Sequence, residues 1–224
     1  MARGIHDCPL QRWLGSLSRE DFERSFFQRR PWARPAAATV EAASFGWSEL
    51  GQLLESEPSP DVLVVARSQL LQTPEPRSLA GLRKLMRRGI GICARHAERH
   101  QSALASAAAG LGQTLDTSVH VHVFVTPAAT HGFGWHYDAE DVFIIQTAGR
   151  KDYYFRENTV NARGALDFDF SAIALESSPL QTAQLLAGDC LYLPAGMWHM
   201  ARSVEDSLSM SLGVKSRFKP QSAA

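Results

Sequence analysis

The chain has 224 residues, of which 45% are hydrophobic and 21% charged, a composition that suits one globular domain and excludes a disordered chain. Its 23 basic and 23 acidic side chains give a formal net charge of zero, which argues against binding of nucleic acid through a chain-wide positive field. The sequence contains no run of 18 apolar residues and shows no apolar leader, so we expect no membrane partner and predict a cytoplasmic protein. Three widely spaced cysteines without C-x-x-C spacing favour reduced thiols.

The first part of the chain, residues 1–115, is predicted to be helical and mixed. Apolar residues recur at helical spacing in four segments, which are 9–30, 47–54, 78–88 and 101–115. Serines that precede three of these helices are expected to be N-caps, namely Ser18, Ser48 and Ser78. Apolar runs predict strands over 61–67 and 89–94. The segment 31–38, PWARPAAA, predicts a turn or an extended crossing.

From about residue 116 the pattern changes to short strands separated by turns rich in glycine and proline. Strands are predicted at 118–126, 141–147, 151–155, 182–187, 189–194 and 207–214. This pattern is typical of a β-sandwich or a small barrel. We therefore predict a mainly β fold with N-terminal helices, in which residues 1–115 pack on a core at 116–218 and residues 219–224 form a disordered tail.

Three residues suggest a metal centre. His136 and Asp138 form an H-x-D pair, and alternate residues of an extended strand point to the same face. His199 follows a Gly-Asp turn and a Pro-Ala-Gly turn. Two imidazoles and one carboxylate form the facial triad of non-haem Fe(II) oxygenases, which leaves the opposite coordination positions open. The alternative is a chance grouping of polar core residues.

The residues around this triad resemble the two motifs of the cupin superfamily. Segment 188–199, GDCLYLPAGMWH, is similar to the second motif, G-x5-P-x-G-x2-H. In the first motif, counted from His136, Asp138 stands at the second His position and Val142 at the usual Glu position. The lack of a fourth ligand would open the coordination sphere to a co-substrate and dioxygen.

The segment 136–151, HYDAEDVFIIQTAGRK, further resembles the JmjC-type branch of the cupins, and above all its ribosomal-oxygenase group of protein arginyl and histidyl hydroxylases. FFQRRPWARP at 26–35 and SLSMSLGVKSRF at 207–218 are similar to segments of the same group. The resemblance implies a double-stranded β-helix at 116–218. Such proteins continue into helical dimerisation and winged-helix regions that this chain does not show, so substrate presentation and oligomeric state stay open.

The resemblance also implies a chemistry. It predicts an Fe(II)- and 2-oxoglutarate-dependent hydroxylase that uses dioxygen and forms succinate and CO2. The triad would bind iron, and Lys151 would bind the distal carboxylate of 2-oxoglutarate, because a desolvated carboxylate must be paired. The alternative for Lys151 is an exposed strand residue.

Further polar residues alternate along two predicted strands. His122 is expected to line the site and to contact co-substrate or substrate. Ser209 and Ser211 are expected to bind the co-substrate carboxylate, although they would equally satisfy a barrel interior. His96 is expected at the surface, since no carboxylate or cysteine completes a metal site around it.

We expect a peptide or protein side chain as substrate, by family analogy alone. The alternatives are a small molecule, a carrier-bound or ribosomally made peptide, a cupin that uses its metal without 2-oxoglutarate, and a JmjC-like binding module without turnover.

Overall fold

The structure is a computed structural model that describes residues 8–160 and 170–215. Its helices are α1 (Pro9–Leu14), α2 (Arg19–Ser25), α3 (Thr39–Ser44), α4 (Trp47–Leu54), α5 (Leu79–Met86) and α6 (Ser102–Leu115). Its strands are β1 (Trp32–Arg34), β2 (Asp61–Ala66), β3 (Gln69–Leu70), β4 (Gly91–Arg95), β5 (Val119–Thr126), β6 (Asp141–Ala148), β7 (Lys151–Arg156), β8 (Gln181–Leu185), β9 (Cys190–Leu193), β10 (Trp198–Ser203) and β11 (Ser207–Val214). The tail predicted at 219–224 lies outside the described residues.

Two antiparallel sheets form the framework. The major sheet has eight strands in the order β1-β9-β6-β11-β5-β4-β2-β3, and the minor sheet has three in the order β10-β7-β8. Apolar side chains from both sheets pack together, with Val142 and Ile144 of the major sheet against Tyr153 and Phe155 of the minor sheet. The predicted fold class, mainly β with N-terminal helices, is confirmed.

The N-terminal part of the chain adds strands as well as helices to this framework. β4 pairs with β5, and β2 pairs with β4, so the major sheet extends across the predicted boundary at residue 115. β1 pairs with β9 on the other side, where the sequence predicted a turn or an extended crossing. Division of the chain into 1–115 and 116–218 stays a prediction.

The helices cover the outer face of the major sheet. Trp13 and Phe22 pack against Phe143, with ring centroids at 5.6 and 5.9 Å, and Phe22 also meets Tyr192 at 5.2 Å. All four side chains are fully buried, and each contributes about 1.5–3 kcal/mol by removal of apolar area from water. Because β6 is covered on both faces, its sequence DVFIIQTA shows almost no polar alternation.

Two of the three serines predicted as helix N-caps have that role in the structure. The Oγ of Ser18 accepts the N–H of Asp21 at 3.0 Å, and the Oγ of Ser78 accepts the N–H of Gly81 at 3.2 Å. The prediction of Ser48 as a cap is wrong, because α4 begins two residues earlier than a helix capped by Ser48 would. There Gly46 is the N-cap, and the carboxylate of Glu49 accepts its N–H at 2.9 Å.

The chain changes sheets between β6 and β7. Gly149 turns it with a φ of +69°, and a Cβ at this position would lie 2.2 Å from the carbonyl oxygen of Asp206. Only glycine fits such a backbone and such a close approach without strain. The turn makes Lys151 the first residue of β7, where it lies on the inner face of the minor sheet.

Over the described residues, none of the helices combines the length and the apolar character that a bilayer span requires.

Candidate metal centre and co-substrate pocket

A cavity of about 270 Å³ lies between the inner faces of the two sheets. His136, Asp138 and His199 line it, and so does Lys151. Apolar side chains such as Phe124 and Ile144 form much of the remaining wall. The residues predicted to bind metal and co-substrate therefore share one partly enclosed space.

The backbone joins the two halves of the metal cluster. The N–H of His136 donates to the carbonyl of His199 at 3.1 Å, and the N–H of His199 donates to the carbonyl of His136 at 2.8 Å. The carbonyl of Asp138 accepts the N–H of Gly196 at 2.8 Å. Ligand atoms of the three side chains consequently lie within 4.8 Å of one another. Residues more than 60 positions apart are brought together as the sequence predicted.

Hydrogen bonds set the tautomer of both imidazoles. The Nδ1 of His136 lies 2.7 Å from the carbonyl oxygen of Gly134, and the Nδ1 of His199 lies 3.0 Å from that of Met197. A carbonyl only accepts, so each Nδ1 carries the proton and each Nε2 presents a lone pair. The Nε2 of His199 lies 3.5 Å from Oδ2 of Asp138. Such backbone contacts are what orients metal-binding histidines.

The electrostatics favour neutral imidazole at His199. Burial, with a smaller contribution from the neighbouring His136, lowers the pKa of His199 to about 4. Metal ions bind the neutral ring, so this side chain needs no proton loss near pH 7. Two imidazole nitrogens and one carboxylate are a donor set that fits Fe(II), and the donors converge on one wall of the cavity.

Lys151 lies in the same cavity and is only 3% exposed. Its Nζ donates to Oγ of Ser209 at 3.0 Å and lies 6.0 Å from the ring centroid of Phe124. Among the residues that the structure describes, no carboxylate lies within ion-pair distance of this ammonium group. Burial therefore lowers the pKa of Lys151 to about 7. A carboxylate ligand would supply the missing partner.

Sequence reasoning missed Tyr153, which also lines the cavity and is buried. Burial raises the pKa of Tyr153, and the neighbouring Ser209 offsets part of that rise. Lys151, Ser209 and Tyr153 therefore form a group of polar side chains at one end of the cavity. The signal was present, because Tyr153 is two residues after Lys151 on β7 and must share its face.

The other predicted residues lie along the inner face of the major sheet. Ser211 is the cross-strand partner of His122, two pairs beyond the pair of Ser209 with Phe124 and therefore on the same face. Both Ser211 and His122 line the cavity. The ring of His122 packs on those of His120 and His96, at centroid distances of 4.6 and 5.6 Å. His96, expected at the surface, is half-buried, and its ring packs behind these two histidines without lining the cavity.

Known proteins resemble this chain in sequence as well as in fold. The family described as JmjC domain matches residues 99–221, which is more than half of the chain. A relative from Dictyostelium discoideum, named bifunctional lysine-specific demethylase and histidyl-hydroxylase NO66, is 35% identical over 101 residues, 43% of this chain and 19% of its own length. Ribosomal oxygenase 1 of Gallus gallus is 31% identical over 97 residues, 42% of this chain and 16% of its own.

Among solved structures, E. coli YcfD aligns with a TM-score of 0.70 at 20% identity, over 91% of this chain and 54% of YcfD. A structure of YcfD, described as a ribosomal oxygenase from Escherichia coli in complex with cobalt and 2-oxoglutarate, aligns with a TM-score of 0.67 at 19% identity, over 91% and 53% of the two chains. At this identity the likeness concerns the fold, and it confirms the predicted double-stranded β-helix. The chain spans about half of these structures and less than a fifth of the two curated relatives.

Proposed function

Since this chain belongs to the JmjC domain family, we propose that it is an Fe(II)- and 2-oxoglutarate-dependent oxygenase that hydroxylates a C–H bond of a peptide or protein side chain. One observation carries the proposal. The cluster of His136, Asp138 and His199 lines a single cavity together with the buried Lys151, which has no carboxylate partner among the described residues. The reported complex of YcfD with cobalt and 2-oxoglutarate supports the same pair of ligands here.

The chain's own residues would bind and orient the reacting groups. His136 and His199 would bind the ion through Nε2, and Asp138 through a carboxylate oxygen. When bound, Fe(II) and 2-oxoglutarate would supply the activation of dioxygen and the oxidation of the C–H bond, with succinate and CO2 as co-products. Apolar side chains such as Phe124 and Ile144 would exclude water, which strengthens electrostatic interactions inside the cavity.

Lys151 and Ser209 would bind the distal carboxylate of 2-oxoglutarate. A buried ammonium group without an opposite charge beside it is unfavourable, and a carboxylate next to it would restore the charged form of Lys151. Ser209 already accepts a hydrogen bond from Lys151 and would hold its Nζ in position. Ser211 and His122 are retained as predicted lining residues.

A peptide or protein substrate is proposed from the relatives, whose names refer to histidyl hydroxylation, lysine demethylation and ribosomal oxygenase activity. The chain covers only part of those proteins, so their substrates are not carried over individually. A small molecule or a carrier-bound or ribosomally made peptide is the alternative, and substrate screening separates the two.

The first experiment needs no substrate. Protein loaded anaerobically with Fe(II) is mixed with 2-oxoglutarate and oxygen, and succinate is measured over time. We expect slow succinate formation that His199→Ala abolishes. In parallel, 2-oxoglutarate should raise the melting temperature of Mn(II)-loaded protein, because it binds only the native state.

Failure of both measurements contradicts the proposal. A melting shift without succinate would indicate a binding module or an enzyme that turns over only with its substrate, and addition of peptide and small-molecule pools then distinguishes those two. Bound metal without any effect of 2-oxoglutarate would favour a cupin that uses its metal alone.

A further inference from the structure

Three histidines form a cluster next to the metal site. His120 and His122 alternate on β5, and His96 follows the end of β4. Their ring centroids are separated by 4.6 Å for His120 and His122, 5.5 Å for His96 and His120, and 5.6 Å for His96 and His122. His120 and His122 of this histidine cluster line the cavity, whereas His96 packs behind them.

The cross-strand register places this cluster away from Lys151. Along β11, Ser209, Ser211 and Gly213 face the cavity, and they pair in turn with Phe124, His122 and His120 of β5. Lys151 bonds to Ser209, the first of these three residues. Four residues of strand separate Ser209 from Gly213, a distance of about 13 Å. The cavity therefore has one polar end at Lys151 and another at the histidine cluster.

The second polar end adjoins the metal ligands. Oε1 of Glu140 lies 3.0 Å from Nε2 of His120, and Glu140 is two residues after Asp138. Two residues of chain span at most about 7 Å between Cα atoms. A substrate group held at Glu140 and His120 would thus lie within one side-chain length of the atom that reacts at the metal.

Glycine makes room for this arrangement. A Cβ on Gly213 would lie 2.5 Å from Nε2 of His120 and 2.7 Å from Oε1 of Glu140. The His120–Glu140 pair consequently rests directly on the backbone of β11. Any larger residue at position 213 would displace it, so the pair has a defined place in the wall.

His122 has a hydrogen-bonding atom that nothing satisfies. Its Nε2 is buried, and over the described part of the chain it has no hydrogen-bond partner. Burial and the two neighbouring histidines lower the pKa of His122 to about 4, so the ring is neutral near pH 7. A buried polar atom without a partner is unfavourable and is normally satisfied by a ligand or by water. Rotation about χ2, a torsion with broad minima, would turn this nitrogen towards the cavity.

The charged groups around His122 are already matched with each other. Glu140 faces His120, whose pKa is raised mainly by that hydrogen bond, and Arg95 pairs with Asp61 at 2.6 Å. A charged substrate group in this corner would compete with these pairs for its partner. A neutral group that both donates and accepts hydrogen bonds would leave the pairs intact.

We propose that His122 and the His120–Glu140 pair form a substrate subsite that binds a neutral hydrogen-bonding group, such as a carboxamide or a hydroxyl. The inference rests on the proposed oxygenase function and extends it, because it assigns a chemical class to the substrate group beside the reacting carbon. It also places His122 on the substrate side of the cavity instead of beside the distal carboxylate of 2-oxoglutarate.

The test uses small probes on inactive, fully loaded protein. Protein containing Zn(II) and N-oxalylglycine, an unreactive analogue of 2-oxoglutarate, is titrated separately with acetamide, guanidinium and acetate. NMR of the histidine ring protons reports where each probe binds. We expect acetamide to shift the resonances of His120 and His122 saturably, and guanidinium and acetate to leave them unchanged.

Two variants assign the binding to His122. His122→Phe keeps a ring but removes the nitrogens, and it should weaken acetamide binding about five- to tenfold, the change expected for one hydrogen bond to a buried group. His122→Asn should restore part of the affinity. His96→Phe is the matched control, since this ring belongs to the cluster but does not line the cavity, and it should leave acetamide binding unchanged.

Stronger binding of guanidinium or acetate at these resonances would overturn the inference, and so would equal acetamide affinity in His122→Phe. If N-oxalylglycine binds normally and no probe shifts His122, the subsite is wrong while the oxygenase proposal stands. If N-oxalylglycine itself does not bind and succinate is not formed, the oxygenase proposal has failed first. Titration of the wild-type protein with the three probes tests the subsite even if a variant does not fold.

Discussion

Replacement of Lys151 by methionine should stabilise the protein without co-substrate and greatly weaken its binding of 2-oxoglutarate. The side chain is 3% exposed, and the hydroxyl of Ser209 is its hydrogen-bond partner. Burial lowers the pKa of Lys151 from 10.5 to about 7, which corresponds to an unfavourable free energy on the order of 5 kcal/mol for the charged form. Methionine is of similar length and carries no charge to desolvate.

The pH dependence of the folding stability follows from the difference in protons bound by the folded and unfolded states. In the unfolded chain the lysine stays charged up to pH 10.5, whereas in the folded protein it loses its proton above a pH of about 7. The unfolded state therefore binds more protons between these values, so the stability contributed by this group rises with pH across that window. Below pH 7 the full penalty is present, and Lys151→Met should remove it.

The assay is thermal unfolding with and without 2-oxoglutarate in Mn(II)-loaded protein. If somewhat less than half of the penalty is realised, roughly 2 kcal/mol, the melting temperature of Lys151→Met should rise by about 4–8 °C at pH 7. Loss of a buried charge partner typically costs about 2–5 kcal/mol of binding, so the affinity for 2-oxoglutarate should fall at least about 30-fold.

Lys84→Met is the matched control, because Lys84 is exposed on α5, and it should change neither quantity. A variant Lys151→Met that melts several degrees lower and still responds to 2-oxoglutarate would refute the reasoning. Lys151 would then be a stabilising structural residue rather than a carboxylate-binding one.

Three further predictions follow from the same geometry. Binding of 2-oxoglutarate should weaken as the pH rises above about 7, because a neutral Lys151 must take up a proton to pair with a carboxylate. The heat of binding measured by calorimetry should therefore depend on the ionisation enthalpy of the buffer. Equal heats in all buffers would contradict this prediction. His199→Ala should lose bound Fe(II) by elemental analysis, whereas His100→Ala should keep it. Gly149→Ala should destabilise the protein by about 1–3 kcal/mol in urea unfolding. As a control, Gly51→Ala within α4 should be neutral or should stabilise the protein by up to about 1 kcal/mol. Equal effects of the two substitutions would count against a strained turn at Gly149.

Much of the candidate metal site was predictable because its signals are local. The H-x-D spacing places His136 and Asp138 on one face, and the glycine and proline turns before His199 define where its strand begins. Of the eleven strands in the described part of the chain, all but β1, β3 and β10 were likewise predictable from periodicity, and so was every α-helix except α3. The error at Ser48 arose because a side chain three residues into the helix, Glu49, caps it instead.

The position of Lys151 could not be read from its neighbours. Whether it faced solvent or the interior depended on the turn at Gly149 that moves the chain from the major to the minor sheet. Its contact with Ser209 joins residues 58 positions apart. The sequence contained both residues and their alternation, but the contact depends on how two sheets pack.

The sequence by itself determined which residues share a face, which turns need glycine, and which side chains are candidate metal ligands. These properties depend on spacings of a few residues. Only the tertiary structure decided that the ring of His96 completes a cluster with His120 and His122, that Glu140 meets His120, and that Lys151 has no carboxylate partner among the described residues. These contacts join different strands, and a strand pattern of period two is the same for every register and every neighbour.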